Sequence, residues 1–304
     1  MTHQIGKSVL CAAVAVLMMA PDARPQARIE ENVICGMYSG LALLMDVHFP
    51  AKPNGYGVVY IAGSGFHAPQ SYDARPLKQS GQVTIFAKPL TEAGYTVFAL
   101  NHRAAPRFRY PAAVEDVRRA VRFVRHSAKR FGISPDRVGA TGGSSGGYLV
   151  SMLAVLDGKG DPEDPDPVNR ESAKVQCVVA RAAPADLSRM QDGAAGATIS
   201  SFLGMRLPRN AEPRSIEART YREASPVTHV SSDDPPMLLL HGDEDPMVPF
   251  EQSEIMEQAL KKAGVEVKLL RVAGGGHGAT FSRVENPPDY LGETVRWFDR
   301  HLRK

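Results

Sequence analysis

The segment "ATGGSSGGYLV", Ala140–Val150, sets two adjacent serines among four glycines. Small neighbours let a backbone bend sharply enough to expose a hydroxyl between a strand and a helix. Two overlapping G-x-S-x-G frames fit, one centred on Ser144 and the other on Ser145. A serine hydroxyl is a weak nucleophile and needs a base within hydrogen-bond reach, itself oriented by a carboxylate. Asp243 and Asp245 follow in "HGDEDPMVP", and His277 follows in "AGGGHG". Serine, then aspartate, then histidine is an order that supports acyl transfer when each group sits on its own loop. A rival histidine, His241, ends the apolar stretch "MLLLHG", where a packed or hydrogen-bonded structural role is expected.

The loops need strands to carry them. "GVVYIAG" (57–63), "TVFALN" (96–101), "RVGATG" (137–142), "VQCVVA" (175–180), "MLLLHG" (237–242) and "VEVKLLRV" (265–272) read as strands. They are short, rich in branched residues and bounded by turn formers, as expected of strands covered on both faces. Amphipathic stretches separate them. In Pro111–Phe131 the residues Val114, Val117, Val121, Val124, Ala128 and Phe131 recur at steps of three and four. Arg118, Arg119, Arg122, Arg125 and Arg130 fill the rest of that helix and read as a solvated face. Further helices are expected over 145–156, 251–263 and 288–302. Such alternation predicts a mostly parallel central sheet with helices on both faces. The proline-rich acidic stretch 157–172 reads as a solvated insertion. Residues 187–221 carry no strand signal and are expected to fold over the carboxyl edge of the sheet, as a small cap where ligands bind in such folds.

Composition narrows the partners. The 304-residue chain is 43% hydrophobic and 23% charged, with a net charge of +3, too mild to imply nucleic acid or a membrane surface. Lys7 followed by the uncharged run Ser8–Ala20 and then "PDARPQAR" has the layout of a secretory signal peptide, too short to span a bilayer. Residues 1–27 are therefore expected to be removed on export, leaving a secreted or periplasmic protein with no stable membrane insertion. Cys35 and Cys177 are expected to be separately buried thiols, and no cysteine spacing suits a metal.

In combination the motifs resemble the α/β-hydrolase esterases of the hormone-sensitive-lipase and acetyl xylan/feruloyl esterase (BD-FAE) type. "HRAAPRFRYPAAVEDV" resembles their "YRLAP…P-A…D" stretch, "GGSSGGYL" their "GGSAGGHL" elbow and "ASPVTHVSSDDPPMLLLHGDEDPMVP" their acid-bearing region. "GGGH" is similar to their terminal "G-x-GH". The resemblance implies one α/β-hydrolase domain over 28–304, with 187–221 as the cap segment. It implies Ser144 as nucleophile, because Ser145 then takes the place of the alanine, and it implies Asp245 as acid and His277 as base. Asp243 is left to stabilise its turn. An oxyanion hole is expected from the backbone N–H groups of Ser145, Ser64 and Gly65. "YIAGSGFHA" stands where such enzymes carry "HGGG", so Ala62 replaces the histidine and Ser64 a glycine. Phe66, His67 and Leu203 are expected at the substrate pocket.

The expected function is cleavage of carboxylic esters through an acyl-enzyme, without metal or organic cofactor, on a small-molecule or carbohydrate ester. Two other readings stay open. Prolyl-oligopeptidase-type catalytic domains also carry an elbow ending in "GGY", and a hydrolase scaffold can serve as a non-catalytic binding protein.

Overall fold

A computed structural model describes residues 27–190, 192–281 and 284–303. The expected signal peptide lies almost wholly outside them. Eight strands form one sheet: β1 (Arg28–Tyr38), β2 (Leu41–Phe49), β3 (Gly57–Ile61), β4 (Thr96–Leu100), β5 (Val138–Gly143), β6 (Val178–Arg181), β7 (Met237–Gly242) and β8 (Val267–Val272). Their spatial order is β1-β2-β4-β3-β5-β6-β7-β8. β1 pairs antiparallel with β2, and β2 antiparallel with β4, whereas every other pairing is parallel. This is the α/β-hydrolase fold.

All six strands read from the sequence are present. The first hairpin is additional. Its turn is the pair Ser39-Gly40, both at positive φ (45° and 81°), the conformation that lets a two-residue loop follow the twist of its strands. β1 carries Glu30, Glu31 and Asn32 and is exposed along much of its length, so it lacks the apolar run that marks the inner strands.

The helices are α1 (Gly81–Glu92), α2 (Ala112–His126), α3 (Ala128–Phe131), α4 (Ser145–Val155), α5 (Gly193–Leu203), α6 (Ile216–Glu223), α7 (Glu251–Lys262) and α8 (Tyr290–Leu302). The inner strands are buried on both faces, so their alternate residues feed two separate cores. Val59, Ile61, Phe98 and Ala140 pack with Val117, Val121 and Val124 of α2 and with α4. Val58, Tyr60, Val97 and Ala99 pack with Phe86 and Leu90 of α1 and with Trp297 and Phe298 of α8. Among the described residues no helix is long and apolar enough to cross a membrane.

The arginines of α2 are more than a solvated face. Arg118 donates to Asp157 O, Arg122 to Glu171 O and Lys159 O, and Arg125 to Pro135 O, Ser172 O and Lys174 O. Arg119 reaches Asn169 Oδ1 and Asp166, both at 2.7 Å. These donors meet the carbonyls of an insertion that has little apolar surface of its own to bury, and so hold 157–174 onto the helix. Towards β1, Arg119 also donates to Cys35 O, and Arg130 of α3 pairs with Glu30.

Candidate active site

Parallel strands end at one edge of the sheet, and there the loops after β3, β5, β7 and β8 meet. Ser144 is the single residue between β5 and α4, at φ 55° and ψ −124°. Such a conformation costs a non-glycine residue about 1–3 kcal/mol. The strain is held from both sides: Ser144 N–H donates to Arg181 O at 2.8 Å, and Ser144 O accepts Tyr148 N–H at 2.9 Å. The flanking glycines are needed for close approach. A Cβ at Gly146 would stand 2.1 Å from Ile61 O, and one at Gly142 would stand 2.5 Å from Gly146 O. The glycines therefore bring the start of α4 against the end of β3.

Ser144 Oγ lies 3.0 Å from His277 Nε2, and His277 Nδ1 lies 2.7 Å from Asp245 Oδ2. The carboxylate accepts from Nδ1–H, which leaves the Nε2 lone pair facing the serine hydroxyl. The other oxygen of Asp245 accepts the N–H groups of Met247 (2.8 Å) and Val248 (2.9 Å). Burial alone would raise the Asp245 pKa. It is outweighed by hydrogen bonds from His241, His277 and Val248 N–H, which hold the carboxyl well below the usual range.

His241 is fully buried. Its Nε2–H donates to Val248 O at 3.0 Å and stands 3.4 Å from Asp245 Oδ2, so Nδ1 is left to accept from Ser253 Oγ at 2.7 Å. The expected structural histidine thus braces the acid loop. Asp243 accepts Gly274 N–H at 2.7 Å and pairs with Arg271, tying the loops after β7 and β8 together.

The structure changes one of the three expected oxyanion donors. Ser64 N–H donates to Ser145 Oγ at 2.9 Å and so is already committed. Ser145 opens α4, and the N–H of a first helical residue has no intrahelical acceptor. Gly65, at φ 62°, lines both cavities beside Ser144, which leaves its N–H as the other candidate donor. The loop is anchored beneath by Phe66, whose ring stacks on Phe202 at 3.8 Å and whose carbonyl accepts Ala105 N–H at 2.9 Å. It is anchored above by Gln82, which bonds both N–H and C=O of Gly63.

Two cavities share the Ser144–His277 pair in their linings. One, of about 240 Å³, is lined by Gly63, Gln82, Arg181, Ala182, Gly278 and Ala279. The other, of about 280 Å³, is walled by Phe66, Pro184, Met190, Ile199, Met247 and Val248. Of the expected pocket residues, Phe66 lines the second cavity. His67 does not reach either; it bonds Ser201 Oγ at 3.1 Å and faces a shallow depression with Ala68 and Pro69. Leu203 is packed into the core at the end of α5, whereas Ala195, Thr198 and Ile199, nearer the start of the helix, line the cavity. The segment 187–221 thus supplies one wall through α5. Arg181, Gln82 and Met247 went unread in the sequence. The signal for Arg181 was a cation closing the apolar strand "VVAR".

Comparison with known proteins follows this geometry. The BD-FAE family model matches residues 45–260. The chain is 34% identical over 173 residues to the probable carboxylic ester hydrolase LipM of Mycobacterium tuberculosis, a match that covers 57% of this chain and 39% of LipM. It therefore spans about two-fifths of that relative's length. A truncated carbohydrate esterase from gut microbiota superposes with a TM-score of 0.76 at 26% identity, over 93% of this chain and 99% of the other. An acetyl ester-xyloside bifunctional hydrolase from Caldicellulosiruptor lactoaceticus shares the fold, with a TM-score of 0.72 at 24% identity over 91% and 96% of the two chains. A family match over well over half of the chain, on the fold and loops described, shows that this protein belongs to the BD-FAE family.

Proposed function

We propose that the protein is an exported serine carboxylesterase that cleaves its substrate through an acyl-enzyme, with acyl groups on carbohydrate among its substrates. The observation that carries this reading is the chain of contacts from Asp245 through His277 to Ser144 Oγ, at 2.7 and 3.0 Å, set on a strained turn. His277 takes the Ser144 proton as the hydroxyl attacks the ester carbonyl. Asp245, ionised and fixed by its own hydrogen bonds, steadies the imidazolium that forms. The N–H groups of Ser145 and Gly65 meet the negative charge developing on the carbonyl oxygen. His277 then protonates the departing alcohol, and water repeats the sequence on the acyl-serine. The carbohydrate esterase neighbour supports the sugar-ester class, and the layout of residues 1–27 supports export.

Hydrolysis of 4-nitrophenyl acetate tests the reading. Wild-type protein should turn over the ester, and Ser144→Ala should lower kcat on the order of 10⁴-fold or more. A folded Ser144→Ala variant with wild-type turnover would remove the serine from the mechanism.

A further inference from the structure

Arg181 closes β6 and lines the smaller cavity together with Ser144 and His277. It is 4% exposed, yet its partners among the described residues are neutral. Nη1 donates to Gly278 O at 2.6 Å, and Nη2 reaches Gln82 Oε1 at 3.3 Å. The guanidinium stands 4.8 Å from the centroid of the Phe86 ring, and Nε has no hydrogen-bond partner among the described residues. A guanidinium offers five N–H donors, so most of its donor capacity is unspent.

The other two buried arginines are better satisfied. Arg103 pairs with Asp116 at 2.8 Å, and Arg125 donates to three backbone carbonyls. Asp245, whose charge acts on Arg181, has its oxygens taken by His277 and by two backbone N–H groups. A buried cation without a paired counter-ion carries a desolvation penalty that its neutral contacts among the described residues offset only in part. Its position is also specific. A Cβ at Gly143, the residue before Ser144, would stand 1.8 Å from Arg181 Nη2, so the guanidinium lies against the elbow itself. A planar fork suits a carboxylate, which can take two N–H groups at once.

We propose that Arg181 receives a carboxylate carried by the ester substrate, so that the enzyme selects acidic esters whose other half is apolar. This rests on the esterase reading above. The acidic half occupies the Arg181–Gln82 cavity, and the uncharged half lies against Met190, Ile199 and Met247 in the other cavity.

The test compares matched esters at constant ionic strength. 4-Nitrophenyl hydrogen adipate against its methyl ester places the charge on the acyl side, and 4-acetoxybenzoate against its methyl ester places it on the alcohol side. In one of the two pairs, wild-type kcat/KM should favour the charged member by roughly ten- to hundredfold, the worth of a hydrogen bond to a charged group. Arg181→Met should collapse that ratio through KM, and Arg181→Lys should restore part of it. Benzoate should inhibit wild type competitively, while benzamide should not. Because that measurement uses unaltered protein, it decides even if Arg181→Met does not fold. Equal preference within both pairs, together with equal inhibition by benzoate and benzamide, would overturn the proposal and leave Arg181 as a strut of the elbow. If every ester is inert, the esterase reading fails instead, and calorimetric titration of wild type with benzoate still reads the anion site: binding that Arg181→Lys weakens supports it, and no binding overturns it.

Discussion

Ser145→Ala removes a single hydroxyl, the one that accepts Ser64 N–H at 2.9 Å in a residue 2% exposed. The half-buried donor left behind sits on the loop that carries Gly65. Leaving an N–H unpaired costs about 1–3 kcal/mol when buried, so the lower part of that range applies. Alanine's better helix propensity recovers a few tenths of a kcal/mol. The net loss of about 1–2 kcal/mol should lower Tm by roughly 2–8 °C in a domain of this size. Catalysis should suffer less. Removing an oxyanion donor costs on the order of a hundred- to a thousandfold, but this substitution deletes none: the N–H groups of residues 145 and 65 both remain. Turnover should therefore fall by less than about tenfold, through loosening of the loop. Circular-dichroism melting and kcat on 4-nitrophenyl acetate read the two effects separately. A folded Ser145→Ala protein as inactive as Ser144→Ala would move the nucleophile by one residue. An unchanged Tm would show that the Ser64–Ser145 bond does not hold the loop.

Two further outcomes follow from the same geometry. Asp245 has a depressed pKa in the folded state, so the stability it contributes is full above the unfolded value of about 3.9 and is lost as pH falls toward the folded value. Wild type should therefore lose stability more steeply than Asp245→Asn below about pH 4, and parallel curves would count against the assignment. Asp245→Asn should also lower kcat on the order of 10⁴-fold at neutral pH. Gly146→Ala drives a methyl group to within 2.1 Å of Ile61 O and should push α4 away from β3. A cost of about 1–3 kcal/mol and a severe loss of kcat are expected, and a variant with wild-type kcat would show that the close approach is not needed.

What was legible followed from burial. Strands β3–β7 are covered on both faces, so each reads as a short apolar run. β8 lies at the sheet edge and was read from its branched residues, although only Val272 of it is buried. The edge strand β1 and its neighbour β2 are exposed on part of their surface, and only Ser39-Gly40 marked their hairpin. α1 carries Pro89 and a weak apolar stripe, so it was not read. Cys35 and Cys177 are free buried thiols, as expected, and burial pushes Cys35 up to about 12. The α2 arginines looked solvated because most of their partners are backbone carbonyls, chiefly of the 157–174 insertion, and such acceptors carry no residue signature.

By itself the sequence determined the strand–helix alternation, the glycines that allow a strained serine turn, and the chain order of serine, aspartate and histidine. These are properties of local steric and hydrophobic patterning, which each segment carries alone. Only the tertiary structure decided which donors stay free for an oxyanion and which residues face a cavity. Ser64 N–H is spent on a hydroxyl 81 positions away, Leu203 turns into the core, and Arg181 meets Ser144 from a neighbouring strand. Each of these depends on what another part of the chain places opposite, and sequence spacing holds no record of that.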